Sequence, residues 1–397
     1  METFDTVVVG GGPSGATAAH SLAQAGRNVL LLDREGRIKP CGGAIPPRLV
    51  RDFDIPDHLL TAKIKAARMV APSRREVDMP IDGGFVGMVD RDAFDEWLRA
   101  RANRAGATRR AGAFVAFERQ RDDTAVITYR PKSGASDGER QSVRARTVIG
   151  ADGANSSMAR QAFPKAEHLP FVFAYHEIIE APANGVGTYA AERCDVHYQG
   201  HISPDFYGWI FPHGPVASVG VGSAHKGFAL RAAVEHLRAQ TNLVDCKTLR
   251  REGAPIPLKL RKRWDDGSTV VLAGDAAGVV APASGEGIYY AMLGGQLAAE
   301  AVDARLAGDV RALATARKRF MADHGRTFWV LGLLQQVFYR NDKRRERFVS
   351  MCRDKDVQRL TWDGYMNKQL VRAQPAAHLR VLMKDIAHLT GLSWAVR

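Results

Sequence analysis

Two short apolar runs, residues 4–10 and 28–33, flank the sequence Gly10-Gly11-Gly12-Pro13-Ser14-Gly15, a G-x-G-x-x-G spacing. The Ala-rich stretch 14–25 between them, closed by Gly26, predicts a helix. Strand, glycine turn, helix and strand within one short stretch predict a right-handed βαβ unit with buried parallel strands. In such a turn Gly10 permits the sharp bend, Gly12 lets the backbone approach a pyrophosphate, and Gly15 lets helix and strand pack closely. The free N–H groups at the helix start, beside Ser14, then receive the phosphates. Asp33 ends the second strand, where a carboxylate accepts from ribose hydroxyls and repels a 2′-phosphate. The site is thus expected to take FAD or NAD rather than NADP. No Gly-Lys-Ser/Thr ending follows, which excludes a P-loop.

A distant second motif favours FAD. Gly274-Asp275-Ala276-Ala277-Gly278 is followed by Pro282-Ala283-Ser284-Gly285-Glu286-Gly287-Ile288. Asp275, at a strand end, can accept from the ribityl hydroxyls of a flavin. The turn through Gly285, Gly287 and Ile288 opens a helix expected over 286–305, whose N-terminal dipole can stabilise negative charge on a reduced flavin. A third turn of this kind, Gly150-Ala151-Asp152-Gly153, offers Asp152 either as a cofactor residue or as a structural Asp-Gly turn.

The 397 residues suggest two or three domains, and 45% apolar with 25% charged residues is ordinary globular composition. The 56 Lys+Arg against 43 Asp+Glu give a net charge of +13. Its clusters, 99–110 and 247–263, carry no zinc-finger, helix-turn-helix or aromatic RNA-binding signature, so nucleic acid is not the expected partner. The four cysteines, at 41, 194, 246 and 352, have neither metal-type spacing nor the density of a disulfide scaffold; no metal is expected, and a reducing, cytoplasmic compartment is. The chain runs into a strand pattern at once, leaving no room for a leader peptide, and has no apolar window of spanning length.

Residues 171–211 hold nine of the 31 aromatic residues, about three times their share by length. Phe171, Phe173 and Tyr175, and again Tyr207, Trp209 and Phe211, alternate at period two. They predict an antiparallel sheet with one aromatic face, serving either as core or as the lining of a substrate channel. The expected fold class is α/β (α+β). A Rossmann-like FAD-binding domain in two parts (1–165 and 266–310) brackets an inserted antiparallel-sheet substrate domain (166–265), and a helical C-terminal region (311–397) follows.

The three strand-end motifs together resemble FAD-dependent enzymes of the p-hydroxybenzoate hydroxylase fold. Hydroxylases of that fold usually continue the late motif with His, where this chain has Gly278, a departure that argues against monooxygenase chemistry. Lys39-Pro40-Cys41-Gly42-Gly43 resembles the Pro-Cys-Gly-Gly segment of geranylgeranyl reductases, and Tyr207-Gly208-Trp209-Ile210-Phe211-Pro212 is similar to their Y-x-W-x-F-P motif. Residues 37–47 and 82–97 resemble the (bacterio)chlorophyll-synthesis branch. Tryptophan halogenases carry W-x-W-x-I-P at a similar place, and Tyr207 and Phe211 depart from it.

The resemblance implies reduction of isolated C=C bonds of a geranylgeranyl group to phytyl, as diphosphate or esterified to pigment, with hydride from NADPH by way of FAD. A flavin monooxygenase of an apolar substrate and a reductase of other membrane prenyl lipids are the alternatives. An unactivated alkene needs an early proton, so the site needs a proton donor, a hydrophobic tunnel and exclusion of water. Cys41 and Tyr207 are the candidate donors, Trp209 a candidate catalytic residue, and Phe173, Tyr175, Tyr207, Trp209 and Phe211 candidates for the pocket. Cys41, Gly42 and Gly43 are expected to border the flavin. Arg91 is carried over as an FAD phosphate contact, with a solvated helix-start arginine as the alternative. His213 is expected on the surface or in a loop.

With no second G-x-G-x-x-G, NADPH is expected to bind transiently in a cleft. Val330, Leu333, Leu334, Val337 and Phe338 form a helical stripe beside Phe328 and Trp329. That stripe either packs into the core, which is favoured, or lies on an anionic membrane surface. A membrane-borne isoprenoid or pigment substrate would bring the protein to a membrane as a peripheral protein. The oligomeric state is not legible.

Overall fold

A computed structural model describes residues 1–34, 39–133, 136–163 and 168–368. The chain divides into two compact units: 1–39, 91–171 and 255–326 in the first, 40–90, 172–254 and 327–397 in the second.

In the first unit the strand Thr3–Val9 lies at the centre of a sheet, parallel to Val29–Asp33 on one side and to Gln141–Gly150 on the other. Thr108–Arg119 and Val270–Leu272 extend it in parallel. Val7, Val8, Leu30, Leu31, Val148 and Val271 are fully buried, which is why these strands are continuous apolar runs rather than alternating ones. Ala125–Ser133 adds an antiparallel ribbon, paired with both Thr108–Arg119 and Gln141–Gly150. Residues 134–135, which follow it, lie outside the described residues. The helix Pro13–Gln24 packs on Ile288–Leu306 at a point where a Cβ on Gly295 would overlap the Ser14 carbonyl oxygen. Gly295 therefore sets how closely these two helices approach. Helix Arg91–Arg104 belongs to the same unit.

The second unit contains most of a seven-stranded sheet in which Phe171–Glu180, Val216–Ser223, Gly208–His213 and Arg193–His197 follow one another antiparallel. The expected all-antiparallel sheet is corrected at one edge. Ala66–Val70 joins Arg193–His197 in parallel and brings Glu76–Pro80 with it. A small sheet of Ala44–Ile45, Val86–Val89 and Leu60–Ile64 belongs to the same unit. Residues 40–90 thus cluster with the second sheet rather than with the nucleotide-binding motif, because strands far apart in sequence pair there. Residues 255–265 fall in the first unit for the converse reason.

The C-terminal region is helical over Leu313–Phe338, Asp342–Met351 and Lys355–Asn367; residues 369–397 of the expected helical region lie outside the described residues. Phe328 and Phe338 are buried, whereas Trp329 is 68% and Leu333 46% exposed, so the stripe is only partly core. Among the described residues no helix is long and apolar enough to cross a membrane.

Candidate functional site

In the first unit the glycine turn is built from close approaches. Gly10 has φ +105°, and a Cβ there would strike the Ala151 carbonyl. A Cβ on Gly15 would overlap the carbonyl oxygen of Gly10. Gly12 is different, since a Cβ there would meet nothing within 4 Å. Helix Pro13–Gln24 starts with Gly12 as its N-cap, with no side-chain cap and no acidic residue in its first turn. Ser14 Oγ is buried without a hydrogen-bond partner. A bare helix start, open space over Gly12 and an orphaned hydroxyl fit the pyrophosphate of FAD.

Asp33 ends its strand as expected, with Arg99 Nη1 3.3 Å from its carboxylate and also donating to the Gly11 carbonyl. Burial pushes the Asp33 carboxyl up, and the Gly11 N–H and Arg99 pull it back. Arg99 stands beside this candidate site, and the sequence shows it only as one of a run of basic residues. Asp275 is buried and accepts from Lys39 Nζ at 2.5 Å. Nothing local to Lys39 announces an acidic partner so far along the chain.

The late turn runs through Ala283 (φ +64°) and Gly285 (φ +67°) to Gly287, the N-cap of helix Ile288–Leu306. A non-glycine residue with positive φ is strained, and such strain concentrates at functional sites. Glu286 Oε1 accepts from the Tyr289 N–H. Gly278 has φ +81°, and a Cβ there would overlap the Lys259 carbonyl oxygen. No histidine fits at that position, so the departure from the hydroxylase pattern has a steric cause.

Two other candidates are held by neighbouring residues. Asp152 accepts from Ser156 Oγ at 2.5 Å and from the Met158 N–H at 3.0 Å, which engages it in starting helix Ser157–Ala162. Arg91 is not a solvated helix-start residue: it is 5% exposed and forks onto Asp95 at 2.8 and 2.7 Å.

In the second unit the two family-like segments meet. A Cβ on Gly42 would lie 3.1 Å from the Phe211 ring, and one on Gly43 (φ +71°) 2.5 Å from His213 Cε1. His213 Nε2 lies 3.1 Å from the Gly42 carbonyl oxygen, so this nitrogen carries the proton. The expectation of a surface or loop His213 is corrected. It ends the strand Gly208–His213, is 7% exposed, and burial pulls its pKa down to about 4. Cys41 is half-buried, and its Sγ accepts from the Gly43 N–H at 3.4 Å. Burial and the nearby Tyr339 and Cys41 hold the Tyr207 phenol well above its ordinary range.

The structure brings Tyr207, Trp209 and Phe211 together, with Trp209 6.1 Å from each of the other two rings by centroid. It does not bring Phe173 and Tyr175 to them. Trp209 lies opposite Gly220, and Gly220 opposite His176, so the even-numbered residues of Phe171–Glu180 share the Trp209 face. Phe173 and Tyr175 point to the other face, where Tyr175 packs on the core of Ile179, Val219, Val221 and Leu237. The single aromatic face is therefore corrected to two faces. Phe173 is 40% exposed, whereas Phe211 packs on the cluster of Ile64, Met88 and Cys194.

The family described as FAD binding domain matches residues 3–170. The geranylgeranyl diphosphate reductase of Rhodobacter capsulatus is 55% identical over 390 residues, 98% of each chain. The chloroplastic geranylgeranyl diphosphate reductase of Oryza sativa is 37% identical over 96% of this chain and 85% of its own. Among solved structures, a geranylgeranyl bacteriochlorophyll reductase-like protein from Thermoplasma acidophilum superposes with a TM-score of 0.81 at 23% identity, covering 95% of this chain and all of that one, which shows a shared fold. With its FAD-type glycine turn and its paired Cys-Gly-Gly and Tyr-x-Trp-x-Phe-Pro segments, the chain belongs to the geranylgeranyl reductase family of FAD-dependent oxidoreductases.

Proposed function

We propose that this enzyme reduces isolated C=C bonds of a geranylgeranyl group, as diphosphate or esterified to a chlorophyll-type pigment, with NADPH as the source of hydride. The observation that carries the reading is the seating of Gly42 and Gly43 on Phe211 and His213, which joins the two segments most characteristic of the family resemblance in one place. Bound FAD supplies a two-electron hydride relay between nicotinamide and alkene. Every other requirement falls to the chain.

Gly10, Gly12, Ser14 and Gly15 would cradle the pyrophosphate, and Asp33 would accept from the ribose. Asp275 would accept from the ribityl chain, and the start of helix Ile288–Leu306 at Gly285 and Gly287 would favour negative charge on the reduced ring. Arg91, held by Asp95, would contribute to the phosphate end, and Asp152 shapes the neighbouring turn. The family resemblance assigns Cys41, Gly42 and Gly43 to the border of the flavin. Tyr207, Trp209 and Phe211 line the prenyl pocket, exclude water and offer ring faces to developing positive charge. Phe173 and Tyr175 have no part in that wall. Cys41 holds the proton for the alkene; Tyr207, kept protonated by its burial, is the second donor. His213 is neutral at physiological pH and positions the Gly42 carbonyl instead of acting as an acid. The exposed Trp329 and Leu333 support peripheral contact with the membrane that carries the substrate.

The test is anaerobic turnover of geranylgeranyl diphosphate with NADPH, followed by mass spectrometry. The reading expects products heavier by successive hydrogen pairs. Turnover only with oxygen, giving hydroxylated products, would replace it with a monooxygenase.

A further inference from the structure

Beneath Trp209 lies a buried chain of polar groups that the reductase reading leaves without a role. Trp209 Nε1 donates to Ser218 Oγ at 3.0 Å. Ser218 Oγ lies 2.8 Å from His176 Nδ1, and His176 Nε2 lies 3.3 Å from Glu252 Oε2. His176 is 3% and Ser218 0% exposed. An indole nitrogen can only donate, so Ser218 accepts from it. The hydroxyl keeps its own hydrogen and a second lone pair for His176 Nδ1, and the imidazole tautomer sets which of the two gives the proton. His176 Nε2 faces Glu252, whose carboxyl the imidazole holds below its ordinary range. The outermost link is the loosest, since Nε2 approaches Oε2 off the ideal line.

The sheet is carved to admit this chain. Gly220 stands between Trp209 and His176 on one face, and a Cβ there would overlap Trp209 Cζ2 and lie 2.6 Å from His176 Cβ. The glycine is the slot that lets the indole lie down toward the imidazole, their ring centroids 6.2 Å apart. Burying Ser218 and His176 beneath a wall that hydrophobic packing alone would fill is costly unless their polar atoms are paired in one arrangement. Such a chain specifies a single orientation of the ring above it.

We propose that Ser218, His176 and Glu252 are positioning residues that fix the Trp209 indole against the prenyl chain, resting on the reductase reading. Their effect is on the geometry of the bound alkene rather than on affinity for the long apolar chain.

The experiment compares holoenzyme of Ser218→Ala, His176→Gln and His176→Asn with wild type. Asn places its amide, which can accept or donate, where Nδ1 was and keeps the link to Ser218; Gln places its amide where Nε2 was and breaks that link. The Trp209 indole N–H signal, identified by its absence in Trp209→Phe, is followed by NMR beside steady-state kinetics. Ser218→Ala and His176→Gln are expected to lose roughly tenfold in kcat with KM within about twofold and normal flavin content, and to shift the indole signal. His176→Asn is expected to keep both near wild type. Equal losses in both His176 variants, or an unmoved indole signal in Ser218→Ala, would overturn the proposal. Wild-type holoenzyme that reduces no geranylgeranyl substrate would defeat the reductase reading instead, and the indole signal would then decide the positioning chain by itself.

Discussion

Gly43 and His213 touch so closely that the backbone at one dictates the residue at the other. A Cβ on Gly43 would lie 2.5 Å from both His213 Cε1 and the Val89 carbonyl oxygen, at a φ of +71° that side chains rarely adopt. Gly43→Ala must therefore displace backbone as well as imidazole. It should cost about 1–3 kcal/mol of stability, read by chemical denaturation. It should also slow alkene reduction more than it weakens FAD binding.

The glycine turn offers a paired prediction. Space is open over Gly12, whereas Gly15 faces the Gly10 carbonyl oxygen. Gly12→Val should fold with near-normal circular dichroism and lose FAD, because the added side chain occupies the phosphate position. Gly15→Val should fail to fold the turn at all. Flavin retained in Gly12→Val would refute the phosphate cradle.

Gly278→His recreates the hydroxylase-like residue in a place with no room for it. With a positive φ and the Lys259 carbonyl in the way, it should destabilise the first unit by several kcal/mol, roughly the upper range for single substitutions, and confer no oxygenase activity. A soluble variant of normal thermal stability would show the steric reading to be mistaken.

Burial holds His197 and His213 at about 4, against an ordinary 6.5. The unfolded chain takes up protons below about 6.5 that the folded chain refuses until about 4. Stability should thus be level above that window and fall through it on acidification, by roughly 1 kcal/mol per pH unit for each histidine. His213→Gln should shallow that slope in denaturation midpoints recorded from pH 7 to 4.5; an unchanged slope would mean that His213 is accessible to protons in the folded state.

Cys41→Ser keeps the size of the side chain and the contact with the Gly43 N–H while replacing the thiol with a far weaker acid. It should bind FAD normally and reduce the alkene at least tenfold more slowly, on the order expected for removing a general acid. Loss of flavin instead would make Cys41 a cofactor-binding residue only.

What was legible in the sequence follows the range of the interactions. The glycine turn, its helix and Asp33 are local, and their geometry is encoded within a few dozen residues. The partnership of Lys39 with Asp275 and that of His176 with Glu252 are products of tertiary pairing, and neither residue's neighbours signal the other. The aromatic trios show the limit most plainly. Alternation correctly placed each trio on one side of its own strand, but the register between strands decides whether two trios share a face. Here Trp209 pairs through Gly220 with His176, one residue away from Tyr175. In the same way, Ala66–Val70 joins a strand far down the chain, which moved residues 40–90 into the second unit.

The central claim is that an alkene takes the electrons of the bound flavin. The direct measurement starts from holoenzyme reduced under argon, to which geranylgeranyl diphosphate is added while flavin absorbance is followed. Return of the oxidised flavin spectrum in step with formation of a dihydro product is the predicted result. Flavin that stays bleached with the substrate bound, and recovers colour only when air is admitted, would contradict it.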